Sequence, residues 1–304
     1  MRSVAEDGPG IAERARAKIN LDLLILGRRE DGYHELDSLV VFADPADRLV
    51  LRASGDWTID GSGPFADSLP DMADNIVYRS ARRLQAESGA GGPCRIALEK
   101  NLPVASGIGG GSADAAATLR GLRRLWSLPV EDERLREIGA ELGADVPVCL
   151  FGEPARMRGI GERLDPVRAL PEIPLVLVNP GFAVSTGSVF RALDPDTDAL
   201  FRPPLPMGAS LVQFAVWLQS SRNDLEPPAL SIEPRIGTVL DALRSMDDVI
   251  IARMSGSGAT CFAIFRTMAS ALAAQARLRA SEPGWWVQAT VAGTPMPAPG
   301  EHCG

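Results

Sequence analysis

Hydrophobic positions along the chain change period several times, and each change marks an element. From 17 to 26 they alternate and then run together, as in a strand. The stretch GRREDG at 27–32 interrupts that run as a turn. Apolar stretches at 36–42 and 48–52 read as two further strands. At Val77, Ala81 and Leu84 the spacing becomes helical, with Asp74 or Asn75 placed to cap the first turn. A short strand follows at 94–99. The cleanest stripe is Ala115, Leu119, Leu122 and Trp126, one face of a helix that starts near Ser112. A third helix over 131–142 turns Leu135, Ile138 and Leu142 inward and stops at Gly143. Farther on, 175–178 is apolar throughout, as in a buried strand, and 227–244 and 268–279 have helical spacing. Strands at 249–253 and 260–265 are joined by Ser255-Gly256-Ser257-Gly258, and 286–291 is a last strand. Strands and helices mix without regular βαβ alternation, which predicts an α+β chain rather than a doubly wound sheet.

Length and composition sharpen this picture. A chain of 304 residues suits two domains, and Pro166, Pro171 and Pro174 place the expected boundary within 165–174. Residues 1–13 are polar with Gly and Pro and read as a mobile leader; the Pro/Gly-rich stretch 293–304 reads as a loose tail. A formal net charge of −8 argues against a nucleic-acid partner, whose footprint is a basic patch. No apolar run approaches the roughly 18–20 residues of a membrane span, and no apolar signal-type segment stands near the start, so a cytoplasmic protein away from membranes is expected. Cys94, Cys149, Cys261 and Cys303 are scattered, which suggests neither a zinc site nor a disulfide framework. With His34 and His302 as the two histidines, a Ser-His-Asp machine is disfavoured.

The strongest chemical signal lies between the strand at 94–99 and the striped helix. Gly107, Gly109, Gly110 and Gly111 fall within five positions there. Glycines allow positive φ and let backbone N–H groups approach an anion, and the helix that follows aims its N-terminal donors at the same place. Ser112 adds a hydroxyl, either as a helix cap or toward phosphate or magnesium. No Gly-Lys-Ser/Thr follows, so this is not a Walker A loop, and it fits the dinucleotide fingerprint poorly. Weaker signals accompany it. Alternation puts Lys18, Asn20 and Asp22 on one side of the first strand, as in any half-solvated strand. Asp145, two before Pro147, suits an N-cap or a catalytic carboxylate. Tyr33 beside His34 suits base stacking or a plain turn flank. The stretch 254–260 reads as a second anion nest or a glycine-rich hairpin.

Taken in order, these stretches carry more than any one of them. The succession Ala17-Lys18-Ile19-Asn20-Leu21, Asp31-Gly32-Tyr33-His34-Glu35, Leu102-Pro103 with Gly107-Ile108-Gly109-Gly110-Gly111-Ser112, Gly143-Ala144-Asp145-Val146-Pro147, Arg222-Asn223-Asp224-Leu225-Glu226 and Met254-Ser255-Gly256-Ser257-Gly258-Ala259-Thr260 resembles the GHMP kinase superfamily. The resemblance implies an N-terminal ribosomal-protein-like α+β domain at 14–168 and a C-terminal ferredoxin-like domain at 169–292. It implies ATP with Mg²⁺, the metal ligands being left unassigned, and transfer of the γ-phosphate to a hydroxyl of a small molecule. Pro103, Val104, Ala105, Ser106, Gly107, Ile108, Gly109, Gly110, Gly111, Ser112 and Ala113 would wrap the ATP phosphates, with Asn75 and Lys100 near the adenosine. Lys18 and Asp145 match the family's catalytic pair. Gly32-Tyr33-His34 and the Arg222 stretch set the chain apart from members acting on mevalonate, galactose or homoserine, and imply a cytidine diphosphate derivative of methylerythritol as acceptor. Tyr33, His34 and Phe190 would hold its base, and Asn20 and Thr186 would contact the substrate. Ile108 stands where leucine is commoner, 194–214 fits no motif, and nothing sets an oligomeric state.

Overall fold

The computed structural model describes residues 10–193, 203–206 and 208–293. Residues 1–9 of the expected leader, the expected tail from 294 with His302 and Cys303, and 194–202 of the proline-containing stretch lie outside the described residues.

In chain order the elements are β1 (Ile11–Asn20), β2 (Leu24–Arg28), β3 (His34–Ala53), β4 (Thr58–Ser62), α1 (Ile76–Ser88), β5 (Cys94–Glu99), α2 (Gly110–Leu125), α3 (Asp132–Leu142) and α4 (Val146–Phe151). They continue with β6 (Ala155–Gly159), β7 (Arg163–Pro166), β8 (Ile173–Asn179), α5 (Thr186–Arg191), α6 (Leu211–Gln219), α7 (Glu226–Ile232) and α8 (Arg235–Arg244). The last are β9 (Val249–Met254), β10 (Cys261–Phe265), α9 (Met268–Ser281) and β11 (Trp286–Ala292). No helix among the described residues is long and apolar enough to cross a membrane.

The chain forms two compact units, and a single cut at 165–174 does not separate them. One gathers the chain up to Ala17 with Pro45–Val104 and Gly109–Phe151; the other gathers Lys18–Asp44, Ala105–Ile108 and the chain from Gly152. The physical reason is the length of β1 and β3, each of which contributes residues to both.

In the first unit β4 pairs parallel with β5, and β5 pairs antiparallel with the end of β3, from Arg48↔Glu99 to Ala53↔Cys94. Leu49, Leu51, Ile96 and Leu98 turn their side chains into the core, where Val77 and Leu84 of α1 and Leu119 and Leu122 of α2 are also buried. Of the two candidate caps, Asp74 and Asn75, it is Asn75 that caps α1, its side chain accepting the Val77 N–H, and Gly89 ends the helix in the left-handed conformation. The expected leader is shorter than 13 residues: β1 starts at Ile11, and Glu13 pairs with Arg120 and Arg124 of α2.

In the second unit β9, β10, β8 and β11 pair antiparallel in that order. Helices α5–α8 lie in the chain between β8 and β9, and α9 lies between β10 and β11. That is the order of a ferredoxin-like split βαβ arrangement. Every residue of β8 and β10 is buried, which explains their uninterrupted apolar runs. His34–Asp37 pairs with β2 and Leu36–Val40 with β6.

Several boundaries differ from the sequence pattern for identifiable reasons. The strands expected at 36–42 and 48–52 are one strand, β3. The polar stretch around Pro45 is where it changes partners, so the missing proline N–H breaks no ladder. The strand expected at 17–26 divides, because Leu23 turns to bond Arg222 O through its N–H (3.0 Å). The helix expected at 227–244 divides before Pro234 into α7 and α8. Strands β4, β6 and β7 and helices α5 and α6 had no strong period. The start of α6 is nevertheless written locally, in the reciprocal capping box of Ser210 and Gln213.

Candidate active site

The glycine-rich segment is held from one side by the loop at 254–260. Thr260 N donates to Ser106 O (3.1 Å), Ser255 Oγ donates to Gly107 O (3.1 Å), and Lys18 N donates to Ile108 O (2.9 Å). Gly107 has φ of +74°, and a Cβ there would stand 2.5 Å from Ser255 O and 2.8 Å from Gly258 N. Glycine is required at that position by its immediate neighbours. The stretch 254–260 is a hairpin, with β9 and β10 pairing antiparallel across it, and its turn is the bed on which 106–107 rests.

Beyond this anchor Gly109, at φ of +64°, turns the chain into α2 and offers no side chain as a cap. The first N–H groups of α2 therefore lack intrahelical partners, and the helix dipole adds partial positive charge beside them. Gly111, in that first turn, is exposed, and a Cβ there would meet only Ile76 Cγ2, at 3.9 Å. Val104 and Ala105 are exposed as well, while Pro103, Ser106, Ile108, Gly110 and Ala113 are buried and can serve a ligand chiefly through backbone. Ser112 is half-buried, its Oγ 4.0 Å from where a Cβ of Gly143 would stand. The 143–145 turn is thus near the first turn of α2.

Asp145 is half-buried just ahead of α4, and its carbonyl accepts the Cys149 N–H (3.2 Å), as at a helix N-cap position. Within the other unit, Lys18 Nζ donates to Asn20 Oδ1 (2.8 Å), and Asn20 Nδ2 donates to Ser38 Oγ (2.7 Å). Ser38 Oγ in turn donates to Asp22 O (2.5 Å), and Asn20 N donates to Ser255 Oγ (3.1 Å). Lys18, Asn20 and Asp22 are all buried. The half-solvated reading of this strand is therefore corrected: both faces of its end are covered, and a hydrogen-bonded chain orients the polar one.

Asn75 borders a cavity of about 290 Å³ whose other walls are Ile59, Gly61, Ala66, Asp67, Leu69, Pro70 and Met72. Lys100, expected near the adenosine, has a side chain engaged by two carboxyls. Its ammonium is buried and donates to Asp47 Oδ2 (2.5 Å) and Asp114 Oδ2 (2.6 Å). Burial lifts the Asp114 carboxyl to about 8, with Asp47 adding repulsion that Lys100 only partly offsets. For Lys100 burial pulls downward, and the two carboxylates outweigh it, so the ammonium is held above its usual range.

Of the residues expected to hold a base, His34 and Phe190 come together, with ring centroids 5.3 Å apart and planes tilted by 35°. Burial, helped by the charge of Arg28, keeps the His34 imidazole below its ordinary value and therefore neutral near pH 7. Tyr33 is 59% exposed, an open aromatic face beside them in sequence. Thr186 begins α5, and its Oγ1 lies 2.8 Å from Ser257 Oγ. Sequence reasoning missed Ser38, Asp47, Asp114 and Ser255 as members of these networks. Asp114 was visible only as a charged residue inside an otherwise apolar helical run.

Among the described residues no group of three or more His, Cys, Asp or Glu side chains is arranged to hold a metal ion.

The family model of the GHMP kinases N terminal domain matches residues 75–153, and that of the GHMP kinases C terminal matches 210–283. The 4-diphosphocytidyl-2-C-methyl-D-erythritol kinase of Parvibaculum lavamentivorans is 50% identical over 289 residues, covering 94% of this chain and 99% of its own. Its counterpart in Ruegeria pomeroyi is 52% identical over 274 residues, covering 90% and 95%. A crystal structure of 4-(cytidine 5'-diphospho)-2C-methyl-D-erythritol kinase superposes with a TM-score of 0.76 at 37% identity, covering 93% of this chain and all (100%) of that one. Homoserine kinase from Cytophaga hutchinsonii, at 20% identity and a TM-score of 0.71, shares the fold.

Proposed function

Since the chain belongs to the GHMP kinases and, within them, to the family of 4-diphosphocytidyl-2-C-methyl-D-erythritol kinases, we propose that it transfers the γ-phosphate of ATP to the 2-hydroxyl of 4-diphosphocytidyl-2-C-methyl-D-erythritol, a step of the non-mevalonate isoprenoid route. The observation that carries the reading is the uncapped N-terminus of α2, entered through Gly109 and left open at Gly111. It presents backbone donors and dipole to a polyphosphate at no cost of reorganisation.

Phosphoryl transfer asks for positioning and charge neutralisation more than covalent chemistry. The 103–113 segment holds the ATP phosphates. The cavity beside Asn75 receives the adenosine, which suits its partly apolar walls. Lys18 neutralises charge on the transferred group, its orientation set by Asn20. Asp145 accepts the proton of the attacking hydroxyl as the new P–O bond forms. Mg²⁺, when bound, would supply positive charge against the phosphates. Among the described residues no carboxylate cluster would cage it, and the Ser112 hydroxyl is the protein group that would help hold it. The cytosine stacks on Tyr33 and Phe190, and neutral His34 offers both a donor and an acceptor to its edge. Asn20 and Thr186 contact the acceptor. The substrate is a small molecule, with neither nucleic acid nor membrane involved, and the reaction is cytoplasmic, where ATP is at hand.

A coupled ADP-release assay tests this, with Mg-ATP and the cytidine compound beside mevalonate, galactose and homoserine. Turnover with the cytidine compound alone is the expected result. Turnover with another acceptor instead sinks the base-recognition argument, and no turnover by folded, ATP-binding protein sinks the reaction. In the same assay Asp145→Asn lowers kcat by about 100-fold or more, with KM changed little. A folded variant with normal kcat removes Asp145 as the base.

A further inference from the structure

We propose that Asp47 and Asp114 are positioning residues for ATP, which together clamp the Lys100 ammonium and so lock the entry of the glycine-rich segment to the first turns of α2. This rests on the phosphate-binding role assigned above to that segment.

The clamp is continuous. Asp47 Oδ1 accepts the N–H groups of Asn101 (2.6 Å) and Leu102 (2.8 Å), the two residues that lead into the segment. Its Oδ2 accepts from Lys100 Nζ, and the same Nζ reaches Asp114 Oδ2, one turn into α2. Lys100 is also fixed along its main chain: its N–H donates to Ser62 O (2.7 Å), and its carbonyl accepts from Phe65 N (3.1 Å). A Cβ on Gly110 would stand 3.4 Å from Lys100 Nζ, so the ammonium lies directly beneath the start of α2.

Stability does not account for the arrangement. All three side chains are at most 3% exposed, and one positive charge faces two carboxyls. Asp114 Oδ1 is buried with no hydrogen-bond partner. Well-packed apolar residues commonly replace such buried ion groups at no loss of stability. What the group supplies and apolar residues cannot is direction: short, charge-assisted bonds that hold three backbone segments in one register. Donors on α2 serve a phosphate only when held within a fraction of an ångström of their working positions. Lys100 thereby acts beneath the phosphate site, and its charge is consumed by the clamp.

The test compares full-length wild type with Asp114→Ala, Asp114→Asn and Asp47→Asn. The readouts are ATP affinity by calorimetry, KM for ATP and for the acceptor, and thermal melting. Asp114→Ala is expected to weaken ATP binding about tenfold, the scale of one charge-assisted hydrogen bond, with the acceptor KM unmoved. Asp114→Asn keeps an acceptor oxygen for Lys100 and brings ATP affinity back close to the wild-type value. Asp47→Asn sets an amide against the ammonium and loses affinity as Asp114→Ala does. Should it fail to fold, Asp114→Ala decides alone, because the Asp47 anchor is intact there. Asp114→Ala protein that melts lower yet binds ATP normally overturns the proposal and leaves the kinase reading standing. Wild-type protein that binds no nucleotide overturns both.

Discussion

Gly107 and Gly111 stand four positions apart in one glycine-rich segment, and the structure assigns them opposite reasons for being glycine. At Gly107 the backbone has φ of +74°, where an L-residue is disfavoured by roughly 1–2 kcal/mol. An added Cβ would also lie 2.5 Å from Ser255 O and 2.8 Å from both N and O of Gly258. These are backbone atoms, so no side chain can swing away, and such overpacking costs about 1–3 kcal/mol. Gly107→Ala should therefore lose about 2–5 kcal/mol, a large share of the 5–15 kcal/mol typical of a folded protein. Gly111→Ala meets only Ile76 Cγ2 at 3.9 Å and lies within α2, where alanine gains up to about 1 kcal/mol over glycine. Its methyl would stand where the phosphates are proposed to approach, so it should raise KM for ATP while melting no lower than wild type. Equilibrium urea unfolding of both variants, with ATP kinetics on each, separates the two. Gly107→Ala within about 1 kcal/mol of wild type would refute the clash and strain derived above. Normal ATP binding by Gly111→Ala would refute the open face as the phosphate approach.

Two other outcomes follow from the same geometry. Phe190→Ala removes one half of the His34–Phe190 pair, and base stacking of about 1–3 kcal/mol puts the expected rise in acceptor KM at roughly 5- to 150-fold, with KM for ATP unchanged; an equal rise in both constants contradicts a base-holding role. Asp114 has its folded value lifted from 3.8 to about 8, so the native state keeps a proton that the unfolded chain releases. Its contribution to stability is full below 3.8 and is lost as pH rises toward about 8, with a slope of up to about 1.4 kcal/mol per pH unit. Asp114→Asn should flatten the stability–pH curve across that window, and an unchanged slope in urea titrations would contradict the lifted value.

Much of the fold was legible because burial of one face leaves a local period. The stripe through Ala115, Leu119, Leu122 and Trp126 marked α2, although Trp126 falls just past its end, the pair Asp74 and Asn75 marked the start of α1, and the apolar runs of β8 and β10 marked strands covered on both faces. Glycine spacing marked the segment proposed to hold the phosphates, and the order of motifs marked the family. None of these readings needs a long-range contact, since each rests on residues within a turn or two of each other or on their order along the chain. Tertiary structure settled whatever depends on partners far apart in sequence. Lys100 was expected near the adenosine, and only the fold shows that its ammonium is bonded to Asp47, a residue 53 positions away. The cavity beside Asn75 is walled by 59–72, a stretch with no period to read because a cavity wall buries little and repeats nothing. Gly107 and Gly111 are the same letter in the sequence. Only the backbone of 255–258, almost 150 residues along the chain, makes one a packing requirement, whereas a Cβ on the other would meet just Ile76 Cγ2 at 3.9 Å.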